Sequence, residues 1–178
     1  MNFKSSILST ITLLLAIASL SSCNKNEDYP KSDPAYDNYY YIGYESPYQY
    51  PWNNTKVSVT KNQTDLVKFP VQFHSAFVRN YDAVAKFVVS VFGFATPAVA
   101  GVDYNIVDKN GNKITVADTV YTMTFPQAKN AYDTIYVKLL NNPASGTRTV
   151  NIDLIKNVTD QYTVGTFSQA YRRPLEIK

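Results

Sequence analysis

The residues able to do chemistry in this chain are few. One histidine, His74, and one cysteine, Cys23, occur in 178 residues. A Ser-His-Asp or Cys-His nucleophile would have to run through His74, and no Gly-x-Ser-x-Gly elbow accompanies it. One Cys with one His cannot complete a tetrahedral zinc site, and one Cys cannot close an intramolecular disulfide. With six glycines in all, no glycine-rich phosphate loop is present. A glycosidase needs two carboxyls about 5 to 10 Å apart in a cleft. The acids of the folded part are Glu45, Asp65, Asp82, Asp103, Asp108, Asp118, Asp133, Asp153, Asp160 and Glu176. Most fall in expected turns or strand ends, where Asp is favoured for its own backbone bonding. The reading is therefore of no catalytic residue, no metal ligand and no cofactor.

The aromatic residues are the remaining candidates. Tyr36, Tyr39, Tyr40, Tyr41, Tyr44, Tyr48 and Tyr50 crowd together, and Trp52 follows at once. Pro47 and Pro51 break the stretch after Tyr44 into a loop. Rings with a polar edge suit sugar stacking or a protein interface, so Tyr48, Tyr50 and Trp52 are the candidate ligand- or partner-binding residues. The competing reading is that they cover an open end of the domain. Lys plus Arg number 17 against 14 acids, a formal +3, and the densest basic pair is Arg172-Arg173. No clustered basic face marks a nucleic-acid binder.

These residues must be positioned by the rest of the chain. After Lys4, an apolar run extends from Ile7 to Leu20, interrupted by Ser9, Thr10, Thr12 and Ser19. A bilayer span needs roughly 20 apolar residues, so this shorter run reads as a secretory signal segment. Residues 24 to 35 hold Pro30, Ser32, Asp33 and Pro34 and read as a linker. Three units are expected: 1–22 as a cleaved signal peptide, 23–35 as a tether, and 36–178 as one domain.

Leu20-Ser21-Ser22-Cys23 resembles the lipobox of bacterial lipoproteins. The resemblance implies cleavage before Cys23 and lipidation of its sulfur, which accounts for one unpaired thiol in an exported chain. Several acyl chains would give stable anchoring. Asn24-Lys25-Asn26-Glu27-Asp28 resembles the signal that sends Bacteroidota lipoproteins to the cell surface. Asp118-Thr119-Val120 and Asp133-Thr134-Ile135 resemble the O-glycosylation sequon of the same bacteria, which would place sugars on Thr119 or Thr134.

From Tyr36 onward the pattern is that of strands. Val67, Phe69, Val71 and Phe73 share one face, with Lys68, Gln72 and His74 on the other. Pro70 cannot donate to a ladder, so that strand is expected at an edge or at a bulge. Residues 85 to 92 read as a strand buried on most of both sides, Val91 and Phe92 included. Asn110-Gly111 predicts a hairpin turn between Tyr104–Val107 and Lys113–Val116. Val120–Phe125, Asp133–Leu140, Thr147–Ile155 and Pro174–Lys178 follow, and Tyr39–Tyr44 with Lys56–Thr60 supply the first pair. The fold class is all-β, an antiparallel immunoglobulin-like sandwich of about seven to nine strands.

Gly101-Val102-Asp103-Tyr104, Thr124-Phe125-Pro126, Thr134-Ile135-Tyr136-Val137 and Thr149-Val150-Asn151-Ile152-Asp153-Leu154 resemble, in that order, Calx-beta domains. The same order occurs in small Bacteroidota outer-membrane lipoproteins. Calx-beta domains that bind calcium carry several acids in the turn before the last strands. Here that turn is Asn141-Asn142-Pro143-Ala144-Ser145-Gly146, without a carboxylate, so the resemblance does not bring a calcium site with it.

The resulting expectation is a non-catalytic lipoprotein, lipid-anchored through Cys23 and surface-exposed on the outer membrane. It would act as a binding or accessory module in glycan or peptide uptake with a SusC/SusD-like transporter. A small surface hydrolase and a structural or adhesion protein are the alternatives.

Overall fold

The computed structural model describes residues 40–45, 56–75, 78–127, 129, 131–166 and 170–178. The expected signal peptide and tether, with Cys23, lie outside the described residues, as do Tyr36, Tyr39, Tyr48, Tyr50 and Trp52.

Among the described residues there are eleven strands: β1 (Tyr41–Tyr44), β2 (Val57–Val59), β3 (Val67–His74), β4 (Ala83–Ser90), β5 (Tyr104–Val107), β6 (Tyr121–Phe125), β7 (Ala131–Leu139), β8 (Arg148–Leu154), β9 (Asn157–Val158), β10 (Thr163–Val164) and β11 (Arg172–Ile177). They form a six-stranded sheet in the order β5-β7-β3-β1-β10-β9 and a five-stranded sheet in the order β2-β11-β8-β4-β6. The chain is an all-β sandwich. The count exceeds nine because β9 and β10 are two residues each, too short to leave a period in the sequence. Most pairs are antiparallel, but β1 runs parallel to β10 and β2 to β11. Both parallel pairs join segments far apart in the chain, where no hairpin dictates direction.

The core is what the alternation predicts. Val67, Phe69, Val71 and Phe73 of β3 are buried, as are Val150, Ile152 and Leu154 of β8 and Ile135, Val137 and Leu139 of β7. Phe73 meets Phe125 of the opposing sheet with ring centroids 6.1 Å apart, and the Tyr44 hydroxyl crosses between sheets to donate to the Ile152 carbonyl at 3.0 Å. Strand β8 sits between β11 and β4. Its outward Asp153 is nonetheless buried, held by a two-pronged ion pair from Arg172 at 2.8 and 2.7 Å.

Three expectations are corrected. Strand β3 is not at an edge: it lies between β7 and β1. Pro70 is tolerated because β1 ends at Tyr44, opposite Val71. Glu45, the next residue, still donates its N–H to the Pro70 carbonyl at 3.0 Å. The Glu45 carbonyl, which Pro70 cannot serve, accepts instead from the Arg173 guanidinium at 3.0 Å. Secondly, β4 stops at Ser90, and Phe92 is 93% exposed. Gly93 with φ +83° turns the chain there, so the alternation does not continue. Thirdly, the Asn110-Gly111 turn forms, with Gly111 at φ +84° and Asp108 N–H donating to the Asn112 carbonyl at 2.9 Å. Its second arm is reduced to a bridge at Lys113 and one bond from Ile114 to Ile106.

Candidate binding groove

On one side the sandwich is bounded by two edge strands, β5 of the larger sheet and β6 of the smaller. The segment from Asp108 to Val120 passes from one sheet to the other. Beneath it lies a groove of about 270 Å³ whose lining includes Phe87, Ile106, Met123, Ile135, Tyr136, Asp108, Lys109 and Asp133. Its floor follows from the alternation of β4, β5, β6 and β7, which sends Phe87, Ile106, Met123 and Ile135 inward. Phe87 is fixed by a parallel stack on Tyr121, centroids 4.8 Å apart. The polar groups come from strand ends and the turn. An apolar floor with a few polar groups at the rim, near the small end of ligand-site volumes (about 300 Å³ upward), suits a small ligand.

The electrostatics decide what the groove can do. The Asp108 carboxylate accepts from the Asn112 side-chain amide at 3.0 Å, and from the backbone N–H groups of Asn112 at 2.9 Å and Asn110 at 2.8 Å. These bonds, led by the Asn112 side chain, hold its pKa below the usual carboxylate range. Asp133 accepts from the N–H of Thr134 at 2.7 Å. A glycosidase-type acid needs a carboxyl raised toward neutrality by an apolar surround. Asp108 is tuned the opposite way and stays charged.

The other singled-out residues serve the framework. His74 ends β3 half-buried, its ring stacked on Tyr41 at 4.3 Å, and burial lowers its pKa. Asp103 is buried. It accepts from the Val99 N–H at 2.7 Å and from the Asn142 amide at 2.6 Å, which ties the turn before β5 to the turn after β7. The Lys61 ammonium donates to the Ala144 carbonyl of that second turn at 3.1 Å. Among the described residues no group of three His, Cys, Asp or Glu side chains is placed to hold a metal ion. Thr119 is exposed in a turn at φ +60°, whereas Thr134 is half-buried within β7.

A second aromatic cluster had no counterpart in the sequence reading. The Arg79 guanidinium lies 3.9 Å from the centre of the Tyr40 ring. Tyr81 stacks on Tyr162, centroids 6.0 Å apart, and Tyr162 meets the edge of Phe73 at 6.0 Å. The Tyr162 hydroxyl bonds both the N–H and the carbonyl of Val84 at 2.8 and 3.3 Å. These residues come from segments distant in sequence, so no local period announces them; a tyrosine on each of two turns was the available signal.

A solved structure described as the apo-form Calx CBD1 domain matches this fold with a TM-score of 0.50 at 12% identity. The match covers 78% of this chain and 95% of that one. The fold is Calx-beta-like. The CBD12 structure from CALX1.2 matches with a TM-score of 0.46 at 12% identity, over 77% of this chain and 44% of that one. At this identity the likeness is one of fold. No protein-family model matches the chain, and no curated protein matches its sequence.

Proposed function

We propose that the chain is a lipoprotein of the outer membrane, anchored through Cys23 and exposed at the cell surface. It acts there as a non-catalytic binding or accessory module in the uptake of a glycan or peptide beside a SusC/SusD-like transporter. The observation that supports the non-catalytic part is the state of Asp108: of the groove's two rim carboxylates, Asp108 and Asp133, it is the one fixed by three hydrogen bonds, and its pKa is lowered. Such a group orients a polar ligand and is not the proton donor that glycoside cleavage requires. Anchoring is supported by Leu20-Ser21-Ser22-Cys23 after the apolar run. Binding is supported by the apolar floor of Phe87, Ile106, Met123 and Ile135, and by the aromatic residues Tyr48, Tyr50 and Trp52, which lie outside the described residues.

Labelling cells with radioactive palmitate tests the anchor: the parent takes up label, and Cys23→Ala does not. Equal labelling of the two overturns the anchor. Titration of the purified chain against a glycan and peptide panel tests binding. One ligand is expected to bind without being cleaved, and to bind at least tenfold more weakly to Trp52→Ala or Met123→Ala. Cleavage of a panel member would favour a small surface hydrolase instead. Pull-down from native outer membranes is expected to recover a transporter component.

A further inference from the structure

Among the described residues, the strand edges of the sandwich differ in how they are defended. In the larger sheet, β9 is two residues long. The outer side of β5 is taken by the segment that follows it, where Ile114 donates its N–H to the Ile106 carbonyl at 3.0 Å. In the smaller sheet, β2 is three residues long with Lys56 just before it. Strand β6, Tyr121-Thr122-Met123-Thr124-Phe125, is the other edge, five residues without a charge or a proline. Folded proteins ordinarily blunt such an edge with lysine, proline, a bulge or a covering loop, because it is a template for another strand.

The register decides which backbone groups face outward. Ile155 of the β8 side donates its N–H to the Lys86 carbonyl, so the even-numbered residues of β4 turn toward β8. Ala83, Ala85 and Phe87 therefore turn toward β6, where their partners are Phe125, Met123 and Tyr121. The N–H and carbonyl groups of Thr122 and Thr124 point the other way, off the sheet, and no described residue bonds them. Thr122 and Met123 also line the groove. On the opposite wall the corresponding opening is closed. Leu140 donates its N–H to the Asp103 carbonyl, so even-numbered residues of β7 face β5. Strand β5 ends at Val107, opposite Tyr136, and the next such N–H, on Thr134, is taken by the Asp133 carboxylate at 2.7 Å.

A strand laid against β6 would place every second side chain beside Met123, facing Ile106 and Ile135 of the other sheet. A second copy of β6 cannot fill that space, because its own Met123 and Phe125 are already buried in a core. A glycan has no run of alternating N–H and C=O groups to match the edge. Two rim carboxylates, Asp108 and Asp133, against one ammonium, Lys109, favour a basic residue over an acidic one.

We propose that the ligand of the groove is an extended peptide segment that adds to β6 as a sixth strand of the smaller sheet. Its alternate apolar side chains lie on the groove floor, and a lysine or arginine meets the rim. Main-chain hydrogen bonds to Thr122 and Thr124 supply affinity, and the floor supplies side-chain preference. This inference rests on the reading of the groove as a binding site and selects peptide over glycan.

The probe is a pool of synthetic nonapeptides alternating Val, Leu or Phe with Thr, Ser or Lys, offered to the full chain, with retained members identified by mass. At least one lysine-bearing member is expected to be retained. N-methylation of its alternate residues in one phase should weaken binding at least tenfold, because those N–H groups meet the Thr122 and Thr124 carbonyls. N-methylation in the other phase should change binding less than twofold, because those groups point away. In hydrogen exchange followed by NMR, the Thr122 and Thr124 amides should gain at least tenfold protection on binding. Retention of no member, equal loss in both phases, or no added protection at these two amides overturns the inference. Concentration-dependent protection of them in the free chain also overturns it, in favour of a second copy at the edge. If a glycan binds, and binds more weakly to Met123→Ala, while no peptide is retained, the groove remains a binding site and the peptide alone fails. If neither glycan nor peptide binds, both readings fail.

Discussion

The Arg173 guanidinium donates to the carbonyl of Glu45 at 3.0 Å, taking the place of the backbone donor that Pro70 lacks. The two residues belong to different sheets. Arg173 is on β11, while Glu45 follows β1 and lies opposite Pro70 of β3. Arg173 is buried, lies 4.9 Å from the centre of the Tyr44 ring, and has its pKa lowered by burial. A proline inside a sheet is thus accommodated by a side chain from the sheet across the core.

This arrangement predicts coupling between positions 70 and 173. Arg173→Met leaves the Glu45 carbonyl without its donor and is expected to cost about 1–3 kcal/mol. Pro70→Val restores a backbone N–H at the same acceptor, so Arg173→Met should cost less in that background. Urea unfolding of the parent, both single variants and the double variant measures the difference as a cycle. Strict additivity of the two substitutions would show that Pro70 and Arg173 do not share the Glu45 carbonyl.

The β2–β11 edge predicts an acid-sensitive step. The Glu176 carboxylate accepts from Lys56 at 2.7 Å and from Ser58 at 2.9 Å, and pairs with Lys178 at 3.2 Å. These partners, Lys56 first, lower its pKa from 4.5 to about 2. A carboxyl whose pKa falls on folding stabilises the fold above its unfolded pKa, and that contribution is lost as pH falls toward the folded value. Urea midpoints of the parent should therefore drop between pH 5 and pH 2. In Glu176→Gln the drop should be smaller, because the titrating group is gone. The effect should weaken in high salt, since Lys56 and Lys178 are exposed.

Gly165 should be intolerant of any side chain. Its φ is +59°, and a Cβ there would stand 2.7 Å from the Cβ of Tyr171. The residue lies where the chain leaves β10, and its N–H donates to the Ile42 carbonyl at 2.8 Å. Gly165→Ala is expected to destabilise by more than about 1 kcal/mol, from left-handed backbone strain plus the clash. Gly146→Ala is the control: its φ is +88°, but nothing lies within 4 Å of the added carbon. It should suffer the backbone strain alone, and a thermal melt of each separates the two contributions.

Much of the framework was legible because it is periodic. Val67-x-Phe69-x-Val71-x-Phe73 and Val150-x-Ile152-x-Leu154 lie inward because alternation is a local geometric fact. The Asn110-Gly111 turn was legible because Gly111 takes a backbone angle that other residues resist. What the sequence hid depends on contacts made across the fold. Phe92 continues the alternation of β4, and only the turn at Gly93 puts it in solvent. Pro70 lies inside a sheet because Arg173, over a hundred residues later, supplies a donor. Strands β9 and β10 are two residues long and exist only through their neighbours. The groove lies between β5, β6 and β7, and Tyr40, Arg79, Tyr81 and Tyr162 converge from separate segments. Neither arrangement has a linear signature.

The Asp103–Asn142 contact ties the turn before β5 to the turn after β7 and bears on whether that end of the sandwich responds to calcium. Asp103 is buried and receives the Asn142 amide at 2.6 Å, and the Lys61 ammonium rests on the Ala144 carbonyl two residues further along the same turn. Calcium takes six to eight oxygen ligands, several of them charged. Here the Asp103 carboxylate is engaged by an amide donor and the Ala144 carbonyl by an ammonium. Millimolar calcium or a chelator should therefore leave the parent's unfolding midpoint unchanged. Asn142→Asp removes the donor and sets a second carboxylate against the first. In calcium-free buffer it should destabilise the fold by about 1–3 kcal/mol, from the lost bond and like-charge repulsion in a partly buried site. A calcium-dependent rise in the parent's midpoint, or an Asn142→Asp variant as stable as the parent at pH 7, would show that Asp103 does not depend on the Asn142 amide in this way.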